Sequence, residues 1–169
     1  LGDVYKRQVL LPILGINTAI ISIIAQNIGA KFFDRVKNTY FVSIKYGIFL
    51  MIIAGILVFS LADVVPKFFS SDKEVILYGS IYLKISAIIL PAYPIFFLSN
   101  GFFMALKRSG KAMINNIIRN VVVPILSFYI AITIGADFKT FFYIWAIFQW
   151  TISLLSLIHI SEPTRLRRI

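Results

Sequence analysis

The sequence contains no cysteine, a single histidine and only seven acidic residues. Disulfides, thiolate metal sites and cysteine nucleophiles are therefore excluded, because each of them needs a cysteine sulfur. There is no glycine-rich phosphate loop, Walker motif or paired-carboxylate site, so we expect no enzymatic activity, no cofactor and no metal site. Charged residues make up 14% of the chain and hydrophobic residues 59%, which is more apolar than a soluble domain.

The apolar residues are concentrated in five long stretches. A helix needs about 20 residues, at about 1.5 Å each, to cross a bilayer. The stretches lie at residues 9–30, 40–61, 75–104, 116–134 and 141–154, and only the last is too short. The sequence thus predicts an all-α polytopic membrane protein with four full spans and a truncated fifth, and the lipid bilayer is its expected partner.

Charge alternates between the gaps that separate these stretches. The gaps after the first and third stretches are basic, whereas the other two mix both signs. Cytoplasmic loops carry the excess of Lys and Arg, so the two basic gaps are predicted to face the cytoplasm. The basic residues expected to set orientation at the membrane surface are Lys31, Arg35, Lys37, Lys107, Arg108, Lys111 and Arg119. No nucleic-acid partner is expected, because the aromatic residues lie in the spans rather than on one basic polar surface.

Both ends of the chain resemble translated sequencing adapter. Residues 3–8 read DVYKRQ, which matches the translated transposon end of tagmentation libraries, and residues 155–165 read LSLIHISEPTR, which matches its reverse complement continued into the adjoining adapter. We therefore expect residues 1–8 and 155–169 to be artefact, which carries no fold information. Residues 9–154 are then an internal piece of a larger gene. His159 lies in the second end, so no histidine would remain for catalysis or metal binding.

The third stretch is the longest, at about 45 Å for a straight helix against a hydrocarbon core of about 30 Å. Two prolines lie within it, and each removes a backbone donor and kinks the helix. Interrupted helices in transporters often mark a moving or substrate-lining segment, and a static kink is the alternative. For the uncharged polar residues of the spans, the alternative is ordinary interhelical hydrogen bonding. The predicted cavity or gating positions are Gln26, Asn27, Pro91, Pro94 and Asn100.

No predicted span contains a carboxylate. The acids between the two ends lie in the gaps or at span edges, namely Asp34, Asp63, Asp72, Glu74 and Asp137. Proton and sodium coupling usually depends on a buried Asp or Glu. A coupling group of the usual kind is therefore absent here or lies in another part of the protein.

Three segments together resemble the multidrug and toxic compound extrusion (MATE) family. They are GINTAIISIIAQNIGAK at residues 15–31, FFSSDKEVILYGSIYLKI at 68–85 and ALKRSGKAMINNIIRNVVVPI at 105–125. The resemblance implies a transporter of twelve helices in two bundles of six. The second and third segments favour spans eight to twelve of the second bundle, with spans two to six as the alternative.

The resemblance also implies a secondary antiporter in the bacterial inner membrane. Such a protein exports organic cations or amphipathic drugs in exchange for protons or sodium, and we expect this piece to be inactive alone. Sodium-coupled members carry an acid on the tenth span, which residues 75–104 lack inside the membrane, so proton coupling or a first-bundle site is favoured. The alternatives are a non-transporting membrane subunit and a lipid-linked saccharide flippase, which would need cationic residues in its cavity. Lys84 and Arg119 are the candidates.

Overall fold

The computed structural model describes the backbone of residues 2–161 and the side chains of residues 8–157. This part of the chain is helical throughout, apart from short turns. Its α-helices are α1 (Gly2–Gly29), α2 (Phe33–Leu61), α3 (Val65–Phe69), α4 (Lys73–Ile89), α5 (Ala92–Ala105), α6 (Ser109–Ile117), α7 (Val123–Thr133) and α8 (Phe138–Ser161), and a π-helical segment (Ile118–Val122) joins α6 to α7.

The predicted all-α polytopic architecture is confirmed. Four helical segments are long and apolar enough to cross a membrane, and the bent pair α4–α5 makes a fifth when the pair is counted as one broken span. The second and fourth spans begin earlier than predicted, at Phe33 and Ser109, because their polar first turns continue the helix beyond the hydrocarbon stretch. The fifth predicted stretch corresponds to α8, which begins at Phe138 and continues past residue 154 to Ser161. The predicted origin of the two chain ends stays a prediction, and residues 1 and 162–169 lie outside the described residues.

Three helices end in the same hydrogen-bonded turn. After α1, the Phe32 N–H donates to the Asn27 carbonyl at 2.8 Å, and Lys31 takes a positive φ of 60°. Lys107 after α5 has a φ of 56°, and Gly135 after α7 has a φ of 62°. This six-to-one bond around a residue in the left-handed conformation is the Schellman motif. The left-handed residue of the motif is usually glycine. Both basic gaps are therefore tight turns, which hold their lysines at the ends of adjacent helices.

Helix α5 is the centre of the bundle. It packs against α1, α2 and α8, and most of its residues are buried. On the side that faces α2, the Tyr40 hydroxyl and Ser99 Oγ lie 2.8 Å apart, and both side chains are fully buried. The Tyr40 ring also packs on Phe102, with centroids 4.8 Å apart. One polar contact inside an apolar interface thus fixes the register of α2 against α5.

Replacing Tyr40 with phenylalanine is expected to lower the free energy of unfolding by about 1–2 kcal/mol, because buried Ser99 would lose its partner. Denaturation in detergent, followed by circular dichroism, measures the change. Tyr46→Phe is the matched control, since that side chain is 65% exposed. Equal stability of the two variants would contradict the assignment.

An ion pair ties the second half of α4 to the turn that follows α2. Lys84 Nζ lies 2.7 Å from Asp63 Oδ1, and the Ser80 hydroxyl donates to the same oxygen. The hydrogen bonds from Lys84 and then from Ser80 hold the pKa of Asp63 below its usual value. Lys84 is therefore engaged at the gap between α2 and α4, the gap that the charge pattern places outside.

The Asp63 pair makes stability depend on acid pH. Its folded pKa lies below the value of 3.8 for the free side chain, so its contribution is present above that pH and is lost as pH falls through the folded pKa. We expect the melting temperature of the wild type to fall more between pH 5 and pH 3 than that of Asp63→Asn. Lys84→Gln should behave like Asp63→Asn, because it removes the same pair. Parallel acid profiles for wild type and Asp63→Asn would contradict this, and the effect should shrink in high salt because the pair is exposed.

Candidate functional site at the broken span

The span formed by α4 and α5 breaks at Leu90 and Pro91, where the helix axis bends by 49°. A proline nitrogen carries no proton, so Pro91 leaves the Ala87 carbonyl without its helical donor. Pro94 does the same to the Leu90 carbonyl, which instead accepts from the Tyr93 N–H at 3.1 Å. The interruption lies where the two prolines were expected to kink the helix.

Two glycines of α2 lie against this break. A Cβ added to Gly55 would lie 2.9 Å from the Ala87 carbonyl oxygen, the acceptor released by Pro91. A Cβ added to Gly47 would lie 3.0 Å from the Pro94 Cβ. Small residues let helices in membranes approach this closely. The backbone of α2 therefore covers the break directly.

Helix α8 holds the other side of the break. The Trp150 Nε1–H donates to the Ile88 carbonyl oxygen at 3.2 Å. Ile88 lies three residues before Pro91, so the indole bonds a carbonyl in the last turn before the interruption. The break is thus held between a backbone contact from α2 and a hydrogen bond from α8.

Arg119 lies beside the break, in the π-helical segment. Its side chain is 4% exposed, and its Cζ lies 4.0 Å from the Phe96 ring centroid and 4.5 Å from that of Tyr93. A third ring, Phe97, is 5.9 Å away. Within the described residues, neither Nη1 nor Nη2 has a hydrogen-bond partner. A buried cation whose terminal nitrogens are unsatisfied is costly and calls for an explanation.

This placement of Arg119 differs from the expectation that it would reach the membrane surface. The fourth span begins at Ser109, ten residues earlier in the chain, which puts the Arg119 Cα about 15 Å into the helix. An ionisable residue at that depth usually faces the bundle interior. Here it faces the aromatic side chains of α5.

The π-helical segment helps to turn Arg119 inward. Pro124 has no N–H to donate to the Asn120 carbonyl, and the Val123 N–H reaches back five residues to the Ile118 carbonyl. Such wide turns occur frequently at functional sites. The buried face then continues at four-residue spacing through Val123, Ser127 and Ala131.

An asparagine pair lies one turn from Arg119. Asn115 Nδ2 donates to Asn100 Oδ1 at 2.9 Å, and Asn100 is buried. Asn115 also lines a cavity of about 420 Å³, together with Phe103, Ile118 and, from a basic gap, Lys111. Leu155 and Ser156 line it too, and the Ser156 hydroxyl donates to Asn115 at 3.0 Å, but these two residues belong to the end predicted to be adapter.

Three of the predicted cavity or gating residues meet at this site, namely Pro91, Pro94 and Asn100. Gln26 and Asn27 lie in the last turns of α1, where their amides bond within the helix, to Ser22 Oγ at 3.4 Å and to the Ile23 carbonyl at 2.8 Å. The sequence reasoning missed two contributors to the site, Asn115 and Trp150, and it named Arg119 as a cavity residue only for the flippase alternative. If the fourth span had been predicted to begin at Ser109, the four-residue spacing of Asn115 and Arg119 would have placed both polar residues on one face of the helix.

The site contains no metal cluster or membrane acid. In the described part of the chain, no three His, Cys, Asp or Glu side chains are grouped closely enough to hold a metal ion. No acidic residue of residues 9–154 lies within the apolar interior of a span. The polar chemistry at the break therefore comes from one guanidinium, amides and released carbonyls.

The architecture defines a class, that of multi-pass helical membrane proteins with an interrupted span. The MatE family model matches residues 8–130. Because this match covers most of the sequence, the chain belongs to the MatE family, which is a family of transporters. Comparisons with curated proteins and with solved structures gave no match.

Proposed function

We propose that the protein is a secondary active antiporter of the bacterial inner membrane. It exports organic cations or amphipathic drugs in exchange for protons or sodium. The observation that carries this proposal is the 49° break in the α4–α5 span, with buried polar groups beside it. Transporters use discontinuous helices of this kind at substrate and ion sites near the bilayer midplane.

The contacts of the break suit a segment that changes its bend. Pro91 removes one backbone hydrogen bond, and the contacts that hold the break come from other helices, at Gly55 and Trp150. Changing the angle between α4 and α5 would therefore exchange interhelical contacts without unwinding either helix. Such rigid-body motion of helical segments about a fixed site is how alternating access operates.

The lack of carboxylates in the apolar interior of these spans bears on the coupling ion. Since residues 9–154 place no carboxylate inside a span, we place the coupling carboxylate in the other bundle of the complete protein. Proton coupling is favoured over a sodium site in these helices, because the bent span carries no acid between Glu74 and Ala105.

The proposal is tested in proteoliposomes that contain the complete protein of the source gene. We expect uptake of an amphipathic cation such as ethidium to follow an imposed proton or sodium gradient. Pro91→Ala/Pro94→Ala should reduce transport at least tenfold. Pro12→Ala is the matched control, because it removes an exposed proline within α1. A folded protein that moves no amphipathic compound under either gradient would refute the proposal.

One observation favours a second candidate, a lipid-linked saccharide flippase. Arg119 is buried and its terminal nitrogens are unpaired, as a residue that meets a pyrophosphate headgroup would be. Lys84, the other cationic candidate, is already paired with Asp63. Deletion of the gene distinguishes the two: loss of a cell-envelope polymer without drug sensitivity supports the flippase.

A further inference from the structure

We propose that Arg119 is an oxyanion-binding residue, which takes the carboxylate or phosphate group of an amphipathic molecule held between α5, α6 and α8. The apolar part of that molecule would occupy the cavity lined by Phe103 and Ile118. Among the amphipathic compounds of the proposed function, the proposal selects those that carry an acidic group and places no organic cation at Arg119. It rests on the proposed function only in taking the bound molecule to be a transport substrate.

The first argument is the unsatisfied chemistry of the guanidinium. Its planar fork presents N–H donors that match the two oxygens of a carboxylate or phosphate. Phe96 and Tyr93 lie within cation–π distance, and the Tyr93 hydroxyl also interacts with the guanidinium. That hydroxyl makes no hydrogen bond to Nη1 or Nη2, so the donors of these two nitrogens stay without an acceptor in the described part of the chain. With Nη1 and Nη2 unpartnered and the side chain 4% exposed, the site has unused donors where water is scarce.

The second argument is charge. No carboxylate of residues 9–154 lies within the apolar interior of a span, so this part of the chain offers no counter-ion at the depth of Arg119. The nearest of these acids along the sequence are Asp137, in the gap before α8, and Glu74, in the first turn of α4. The neutralising group must therefore come from outside these helices.

The third argument is access. Helices α5 and α6 run antiparallel, and the contacts between them occur in sequence. Phe103 and Lys111 line the cavity, the Asn100–Asn115 hydrogen bond comes next, and the rings that hold Arg119 follow one turn further along. Six of the eight residues that line the cavity lie within residues 9–154, so its apolar wall does not depend on the end predicted to be adapter. Arg119 does not itself line this cavity, whereas its neighbour Ile118 does, so an acid bound there would have to open the Asn100–Asn115 hydrogen bond to reach the guanidinium.

The test uses the 169-residue chain in nanodiscs of zwitterionic lipid. Binding of radiolabelled octanoate and of octylammonium is measured at fixed ionic strength. Wild type is expected to bind octanoate saturably and octylammonium at least tenfold more weakly. Arg119→Gln should lose at least tenfold in octanoate affinity, and Arg119→Lys should keep part of it. Lys45→Gln is the matched control, because it removes an exposed cation from α2.

Further arms identify the source of the oxyanion. Nanodiscs with phosphatidylglycerol compete with octanoate if a lipid phosphate is the ligand, and inorganic phosphate competes if the headgroup alone suffices. Equal octanoate binding by wild type and Arg119→Gln, or no binding by wild type, would overturn the proposal. If Arg119→Gln does not fold, unchanged octanoate affinity in Arg119→Lys would overturn it instead, because lysine lacks the bidentate fork.

Transport separates this inference from the proposed function. If the complete protein transports amphipathic cations and Arg119→Gln changes neither transport nor acid binding, the inference fails and the antiporter stands. If Arg119 binds octanoate but the complete protein moves no substrate, the antiporter fails and the binding site stands.

Discussion

Replacing Arg119 with methionine is expected to stabilise the protein while it removes acid binding. Methionine fills a similar volume against Phe96 and Tyr93 without placing a charge in an apolar site. Exchange of buried charges for apolar side chains raises the free energy of unfolding by about 1–4 kcal/mol. Loss of the cation–π contacts lowers it by about 1–2 kcal/mol. The difference spans about −1 to +3 kcal/mol. Because neither terminal nitrogen is hydrogen-bonded within the described residues, we expect the upper part of this range, a gain of about 1–3 kcal/mol in the free energy of unfolding, measured by denaturation in detergent.

The control for this prediction is Arg35→Met. Arg35 also lies over a phenylalanine ring, with its Cζ 5.0 Å from the Phe32 centroid, but its side chain is exposed. Its removal should change stability by less than about 1 kcal/mol, as exposed cation–π contacts do. If Arg119→Met instead lost more stability than Arg35→Met, the prediction would be wrong. The rings of Tyr93 and Phe96 would then compensate the cost of burying the charge fully. The gain in stability at the expense of binding is the trade-off expected of a functional residue.

Substitution of Gly55 by alanine is expected to destabilise the protein and to impair transport. The new Cβ would lie 2.9 Å from the Ala87 carbonyl oxygen, a backbone atom that cannot rotate away. Overpacking of this kind costs about 1–3 kcal/mol, against a gain in helix propensity of up to about 1 kcal/mol. A net loss of about 1–2 kcal/mol should appear as a lower unfolding midpoint in detergent.

Gly15→Ala is the control that separates the steric contact of the new Cβ from the higher helix propensity of alanine. Gly15 lies within α1 in a span, and an added Cβ would meet no atom within 4 Å. This variant should gain up to about 1 kcal/mol from helix propensity alone. If Gly55→Ala were as stable as Gly15→Ala, α2 would not be held tightly against the break.

The spans were predictable from the sequence because the length of an apolar run can be read directly along the chain, without knowledge of how the helices pack. A run of about 20 apolar residues fixes a membrane helix regardless of its neighbours. The prolines gave the position of the break for the same reason, since the missing donor at Pro91 is local. The helix starts were not predictable to the residue, because α2 and α6 continue through polar turns at Asp34 and Lys111.

The site was less accessible to sequence reasoning. Asn100 was recognised as polar, but its partner Asn115 depends on how α5 and α6 pack. Arg119 was assigned to the membrane surface because arginines near span ends usually reach the headgroups. Its burial depends on the rings of α5 and on the π-helical turn, and neither leaves a periodic signal in the sequence.

The π-helical turn at Ile118–Val122 also makes the fourth span tolerant of one change in length. Each residue of an α-helix rotates the chain by about 100°, so removing one residue from a regular span would misalign every side chain beyond it. A wide turn already contains one surplus residue, and a deletion there would restore the ordinary ladder. Relatives of this chain that differ by a single residue in this span should carry the difference at this turn, and those that lack the surplus residue would no longer turn an arginine toward the aromatic rings.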